Sequence, residues 1–156
     1  MKLLLKIFFS YFLSAGLVFA YCDFDNFKIG SADSKVSSYS ESDSRYIFEK
    51  IVAADICSDS GFHSIRFKGE YIDGELMAVN FAEFNPEIDH LENIIYYYGQ
   101  PTNKNSETGD KSMSYFHWDL SFKQIFLKNI NDGGNMRVDV HIIADNFLEK
   151  LNEIKE

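Results

Sequence analysis

Two pairs of histidine and aspartate are the residues of this chain whose types and spacing could support chemistry. His117 lies two positions before Asp119, and Asp139 lies two positions before His141. Because side chains two positions apart on a β-strand point to the same face, each pair would present an imidazole beside a carboxylate. Both groups are plausible ligands for a divalent metal ion. If the two strands lie close together in a sheet, the pairs form one patch.

Aromatic residues and an arginine extend this patch. Phe116, Trp118 and Leu120 alternate with the first pair and predict an apolar opposite face. Aromatic and arginine side chains are enriched at binding hot spots. Three interpretations stay open, namely a solvated sheet face with incidental polar residues, a protein-binding face, and a weak metal or catalytic site. The candidate binding residues are Tyr115, His117, Asp119, Phe126, Arg137, Asp139 and His141.

No catalytic motif accompanies these residues. The remaining histidines, His63 and His90, match no metal-ligand spacing. The sequence has no HExxH motif, and the Gly133-Gly134 pair lacks the lysine and the spacing of a phosphate-binding loop. The sequence therefore favours a non-catalytic protein without a cofactor. A small metal-dependent or hydrolytic enzyme that uses the two histidine and aspartate pairs is the alternative.

Several strands are predicted to position the patch. Residues 64–72 and 75–84 are rich in β-branched and aromatic residues, and the Asp73-Gly74 dipeptide between them is typical of a two-residue hairpin turn. Residues 46–56 favour a strand over a helix. Further strands are predicted over residues 114–120, 123–129 and 135–143, the last two joined by a loop over residues 131–134.

Two helices complete the predicted fold. The first begins at Asn85 as its cap, with Pro86 in the first turn, and ends at Gly99; its buried stripe is Leu91, Ile94, Ile95 and Tyr98. The second begins near Asp145. Residues 23–30 are predicted to be extended, 31–44 a serine-rich helix or loop, and 102–111 a polar loop. The order of elements predicts an α+β fold, an antiparallel sheet with helices packed on one face.

The N-terminal residues 1–20 have the pattern of a signal peptide. Lys2 and Lys6 precede an apolar stretch, and Val18-Phe19-Ala20 suits signal peptidase. An uncleaved membrane anchor and a lipoprotein attached at Cys22 are the alternatives. Removing 20 of the 156 residues leaves 136, which is the size of a single α+β domain over residues 21–156. The protein is therefore predicted to be exported, to the periplasm or outside the cell, with no stable membrane span after cleavage.

Export makes a disulfide between Cys22 and Cys57 the preferred state of the two cysteines. In an oxidising compartment an even number of cysteines favours pairing, and this is the one internal pairing possible. Two free thiols are the alternative.

The charge of the chain restricts its partners. The chain has 15 basic and 24 acidic residues, a net charge of −9, and without Lys2 and Lys6 the remaining 13 basic residues give −11. Such a chain is predicted not to bind nucleic acid, because phosphate binding depends on an excess of Lys and Arg. The acidity predicts a basic protein as the partner of an inhibitor or immunity-like factor. A structural envelope component without a discrete partner is a further alternative.

Part of the chain resembles known modules. Residues 91–143 combine a helix that ends in Tyr98-Gly99-Gln100-Pro101, a loop, a strand that contains Trp118 and two further strands. This order resembles the helix-plus-sheet modules of β-lactamase inhibitory protein and of the BamE/SmpA envelope lipoproteins. Residues 27–30, followed by Val36, look like the start of a first module, which implies two imperfect α/β repeats. The resemblance also implies a non-catalytic, exported protein that binds other proteins, although Tyr21 departs from the lipid-attachment signal of the lipoproteins.

Overall fold

The computed structural model describes residues 24–30, 45–51, 65–109 and 111–155. These ranges contain a short 3₁₀ helix, seven strands and two α-helices. Their bounds are 3₁₀ helix Phe24–Phe27, β1 Tyr46–Ile51, β2 Phe67–Ile72, β3 Glu75–Phe84, α1 His90–Tyr98, β4 Asn103–Glu107, β5 Lys111–Asp119, β6 Lys123–Asp132, β7 Asn135–Ala144 and α2 Phe147–Glu153.

The seven strands form one sheet in the order β1-β2-β3-β7-β6-β5-β4, and every neighbouring pair is antiparallel. The prediction of an α+β fold with an antiparallel sheet is therefore confirmed. Strand β7 lies between β3 and β6, so the chain crosses over from the first group of strands to the second. This crossover brings β2 and β3 onto the same sheet as the two histidine and aspartate pairs.

The hairpin between β2 and β3 forms where the sequence predicts it. Asp73 and Gly74 have φ values of 49° and 84°. These left-handed angles are the ones that a two-residue hairpin turn requires, and Asp and Gly tolerate them at low cost. Strand β2 begins at Phe67, three residues later than predicted, and β3 has the predicted bounds.

Alternate residues of the central strands form the hydrophobic core. Val138, Val140 and Ile142 of β7 are buried, with Trp118 of β5 and Leu127 of β6 in the same cluster. Phe24 and Phe27 of the 3₁₀ helix and Ile94 of α1 complete that cluster. Leu91, Ile95 and Tyr98 also pack against it, so the predicted stripe of α1 is confirmed. Burial of this much apolar surface is the main force that holds the helix against the strands.

The C-terminal end of α1 is fixed to β5 by one buried side chain. The indole Nε1 of Trp118 donates a hydrogen bond of 2.8 Å to the backbone oxygen of Gly99. Gly99 has a φ of 76°, and its amide donates to the Ile95 oxygen at 2.9 Å. The positive φ suits glycine and ends the helix as predicted.

The predicted start of α1 is wrong. The helix begins at His90, and its N-cap is Asp89, whose side chain accepts from the Glu92 amide at 2.9 Å. Asn85 instead has a φ of 47° and exchanges two hydrogen bonds with the backbone of Met136 at the start of β7. Asn85 therefore anchors the end of β3 to β7, which leaves Asp89 as the first free capping side chain.

Three other local predictions are corrected. Residues 24–27 form a 3₁₀ helix instead of an extended segment, because both phenylalanines in it turn into the core. The polar loop over residues 102–111 contains the edge strand β4, which pairs with β5 despite its polar sequence. The turn between β6 and β7 is two residues shorter than expected, since Gly133 and Gly134 alone take positive φ values.

The C-terminal helix α2 covers a second, smaller cluster. Phe147, Leu151 and Ile154 pack against Met77 and Ala144. None of the helices in the described ranges has the length and apolar character needed to cross a membrane. The predicted signal peptide, the serine-rich residues 31–44, the end of the predicted strand over residues 46–56 and both cysteines lie outside the described residues.

Candidate functional site

A row of side chains crosses the sheet on the face opposite the main core. His117 of β5 is opposite Phe126 of β6, and Phe126 is opposite His141 of β7. The row continues from His141 to Asn80 of β3 and then to Lys68 of β2. Antiparallel pairing places directly opposed side chains about 5 Å apart. His117 and His141 thus lie in one row, with Phe126 of β6 between them.

His117, Phe126 and His141 line a depression of about 470 Å³, which we call the groove. A second depression of about 340 Å³, here the side groove, shares Asp139 and His141 with it. The two therefore form one continuous surface from β2 to β4. The groove is lined by Asn103, Asn105, Tyr115, His117, Phe126, Lys128, Asp139 and His141 together with Lys104, Phe116 and Leu127. The side groove adds Arg66, Lys68, Asn80, Phe81, Ala82 and Arg137.

The structure brings together most of the candidate binding residues. Those that line the groove are Tyr115, His117, Phe126, Asp139 and His141. Arg137 lines the side groove. Asp119 lies elsewhere, in a cavity that Tyr98, Phe122 and Lys123 also line. Asp119 is one row further along the sheet, opposite Gln124, which separates it from its predicted partners.

A stack of two rings forms the floor of the groove. The rings of His117 and Phe126 are nearly parallel, at 6°, with centroids 4.5 Å apart. The Nδ1 atom of His117 lies 3.3 Å from the Asn103 side-chain nitrogen, which can donate to it. The imidazole Nε2 is buried and has no hydrogen-bond partner among the described residues. These neighbours hold His117 in one orientation, because stacking and hydrogen bonding restrict the ring in different directions.

Cations on this face lie over aromatic rings. The Lys128 Nζ is 5.2 Å from the centre of the Tyr115 ring. The guanidinium carbon of Arg137 is 5.3 Å from the Phe84 ring. The Lys68 ammonium lies 5.4 Å from the ring of Phe48, which is 51% exposed. Cation–π attraction at such exposed sites contributes about 0.5–1 kcal/mol, enough to favour one position for each cation.

The carboxylates of the face are already hydrogen-bonded. Asp139 accepts from Arg137 Nε at 2.7 Å. Glu70 accepts from the Tyr46 hydroxyl at 2.8 Å and from the Asn80 side chain at 3.2 Å. Burial of the phenol, together with this hydrogen bond to Glu70, raises the pKa of Tyr46 to about 12. The tyrosine therefore stays neutral and serves as a hydrogen-bond donor.

The side chains of the groove do not form a metal cluster. No set of three or more His, Cys, Asp or Glu side chains within the described ranges is arranged to hold a metal ion. Asp139 is engaged by Arg137, and Asp119 lies in another cavity. His117 and His141 are separated by the ring of Phe126, with which both are in register.

His90 lies apart from the groove and is buried. Its Nε2 is 2.5 Å from the Glu83 carboxylate, and its ring packs edge-on against Phe81. Burial lowers the pKa of His90, and the nearby Glu83 only partly opposes this shift. The imidazole is therefore neutral near neutral pH and donates its Nε2 proton to Glu83. This pair stabilises the junction between β3 and α1.

Several residues of this surface were not among the candidates predicted from the sequence. Lys128 lies two residues after Phe126 on the same strand, so the alternation that identified Phe126 could also have identified Lys128. Asn103 belongs to a strand that its polar sequence concealed. Arg66 and Lys68 join the patch only because β3 pairs with β7, a long-range contact that local patterns do not reveal.

The chain matches no family model, no curated protein and no solved structure. The resemblance to the modules of β-lactamase inhibitory protein and of the BamE/SmpA lipoproteins therefore stays a prediction.

Proposed function

We propose that this protein is an exported, non-catalytic protein-binding domain of a bacterial-type envelope or secreted protein, with an inhibitor or immunity-like role. The observation that carries this proposal is the groove, in which Tyr115 and the stacked rings of His117 and Phe126 lie on the sheet face opposite the core. Rigid aromatic side chains supply contact area at a low cost in conformational entropy. Such residues dominate the binding energy of many protein interfaces.

The geometry of this face supports a binding role in a second way. The groove side chains come from neighbouring strands of a seven-stranded sheet, so their backbone positions are fixed by cross-strand hydrogen bonds. A surface that is already ordered loses less entropy on binding than a flexible one. The groove is therefore suited to a partner that meets a preformed surface.

Site-specific photo-crosslinking tests the proposal. A photoreactive phenylalanine analogue replaces Phe126, which is 36% exposed in the groove, or Phe122, which is 82% exposed in the turn between β5 and β6. We expect a discrete adduct with a protein of the envelope extract from position 126 and none from position 122. Because the control position is the more exposed one, equal labelling at both positions, or no adduct at position 126, would contradict the proposal.

The alternative function is a small metal-dependent or hydrolytic enzyme. His117, Asp139 and His141 line the same groove, which is the observation that favours it. Metal analysis of the purified protein distinguishes the two functions. Stoichiometric metal that is lost in a His117→Ala, His141→Ala double variant would support the enzyme, whereas the binding domain predicts the same metal content in both proteins.

Export and the disulfide are part of the same proposal. A signal peptide over residues 1–20 would deliver the chain to an oxidising compartment, where Cys22 and Cys57 would pair. The mass of the intact protein, measured after alkylation without a reductant, is expected to show no added label. Two added labels would refute the bridge.

Finer features of the fold are proposed on similar grounds. We infer that the helices cover a single face of the sheet, because Ile94 of α1 shares a cluster with Val140 and because α2 packs near Ala144 at the end of the same strand. The two imperfect repeats implied by the resemblance would place one strand group before α1 and the other after it. Amide hydrogen exchange that protects the two groups with different stabilities would support this division, and uniform protection would argue against it.

A further inference from the structure

We propose that the groove and the side groove together bind an acidic peptide segment of a partner protein, one that carries an aromatic anchor. This inference rests on the proposed binding function and adds the chemistry of the partner. It follows from three properties of the surface, namely its local charge, the pairing of its cations with aromatic rings, and its length.

The local charge of this surface is opposite to that of the whole chain. Its linings include Arg66, Lys68, Lys128 and Arg137, and the carboxylate among them is Asp139. Glu70, the other carboxylate described above on this face, is hydrogen-bonded to Tyr46 and Asn80. No carboxylate of the described residues lies within 4.0 Å of the charged groups of Arg66, Lys68 or Lys128. The chain as a whole has a net charge of −9. The acidity predicts a basic partner for the chain, but at the grooves the cations of Arg66, Lys68 and Lys128, which have no ion-pair partner among the described side chains, favour carboxylates.

The cations are placed beside aromatic rings in a way that suits a mixed acidic and aromatic ligand. Lys128 lies over Tyr115, and Arg137 lies over Phe84. Phe126 lies in the row next to that of Lys128, its ring stacks on His117, and the residue is 36% exposed. An aromatic side chain of the ligand would pack on this ring while its flanking carboxylates reach Lys128 in the adjacent row and Lys68 at the β2 end of the row that contains Phe126.

The length of the surface sets the size of the ligand. The surface crosses six neighbouring strands from β2 to β4, which at about 4.8 Å per strand is roughly 24 Å. An extended peptide of about seven residues has this length, at about 3.4 Å per residue. Such a peptide would run across the strands instead of pairing with an edge strand, because the lining side chains project from the face of the sheet.

Peptide binding measured by fluorescence anisotropy tests this inference. The probes are a labelled peptide of about seven residues with glutamates on both sides of a single tryptophan, the same peptide with lysines in place of the glutamates, and a short oligothymidylate. We expect the wild-type chain to bind the glutamate peptide in preference to the other two, with an affinity that falls as salt is added.

Charge reversal on the surface provides the matched comparison. The double variant Arg66→Glu, Lys68→Glu should bind the glutamate peptide about tenfold more weakly or worse, since two attractive contacts become repulsive. The control variant Lys28→Glu, Lys155→Glu has the same change in net charge, with both exposed lysines outside the grooves. It should keep an affinity close to that of the wild type.

The outcomes separate this inference from the proposed function. Equal loss in both double variants, preference for the lysine peptide or the oligonucleotide, or no binding of any probe would overturn the acidic-peptide inference. Crosslinking at position 126 would in each of those cases still report on whether the groove binds a protein. Loss of that crosslink, with peptide binding absent as well, would overturn both.

Discussion

Replacement of Trp118 by phenylalanine should destabilise the protein by about 2–4 kcal/mol. Trp118 is 1% exposed, and its Nε1 donates to the Gly99 oxygen at 2.8 Å. Removal of the donor leaves that oxygen without its partner, which costs about 1–3 kcal/mol. The smaller ring also leaves a void, and partial loss of a buried aromatic side chain adds about 1 kcal/mol. The sum of the two terms gives the expected range of about 2–4 kcal/mol.

The measurement is urea unfolding followed by far-ultraviolet circular dichroism. Trp118 is the single tryptophan of the chain, so indole fluorescence cannot report on the variant. Two controls separate the contributions. Phe116→Leu replaces the ring beside Trp118 by a smaller side chain without removing a hydrogen-bond donor, and it should lower the free energy of unfolding by about 1 kcal/mol. Phe122→Leu changes a side chain that is 82% exposed and should stay within about 0.5 kcal/mol of the wild type.

If Trp118→Phe lowered the free energy of unfolding no more than Phe116→Leu does, the hydrogen bond to Gly99 would contribute nothing. The end of α1 would then be held against β5 by apolar packing alone. A change in the slope of the free energy against urea would instead indicate that the variant alters the compactness of one of the two states.

Two other residues of the α1 region give predictions of their own. Asp89→Ala should lower the free energy of unfolding by about 1 kcal/mol, because the Glu92 amide loses its capping acceptor, whereas Asp89→Asn should be near neutral in the same urea titration. The free energy of unfolding should also decrease as the pH falls below about 6.5. Near this pH the imidazole of His90 takes up a proton in the unfolded chain, whereas in the folded protein burial lowers its pKa and keeps it neutral. The His90→Gln variant should show a smaller change of unfolding free energy with pH, whereas the control His141→Gln, at an exposed position, should behave like the wild type. The same pH dependence in His90→Gln as in the wild type would contradict the role given to His90.

Local patterns were sufficient to predict the elements with strong signals. The hairpin at Asp73 and Gly74 follows from backbone angles that few residues tolerate, and the end of α1 at Gly99 has the same origin. The alternation along β5 predicted that Phe116 and Trp118 face the core, because a strand with one covered face must alternate. These signals act over a few residues and need no knowledge of the fold.

Predictions that depended on competition between distant groups were wrong. Asn85 has the chemistry of a helix cap, but the backbone of Met136 takes up its hydrogen-bonding groups. The polar β4 has no strand-like pattern and forms because β5 offers it an open edge. The 3₁₀ helix at Phe24 and Phe27 forms where a hydrophobic cluster requires both rings. In each case a long-range partner outweighed the local preference.

The sequence by itself determined the class of the fold, the faces of the strands and the net charge, since these depend on composition and on spacing along the chain. Only the tertiary structure decided which residues line the groove and the side groove. Pairing of β3 with β7 brought Arg66 and Lys68 beside His141, and the register of β5 with β6 moved Asp119 out of the patch. Strand order and register are set by the packing of the whole core. No local sequence pattern therefore predicts that an acidic protein carries a groove lined by basic residues.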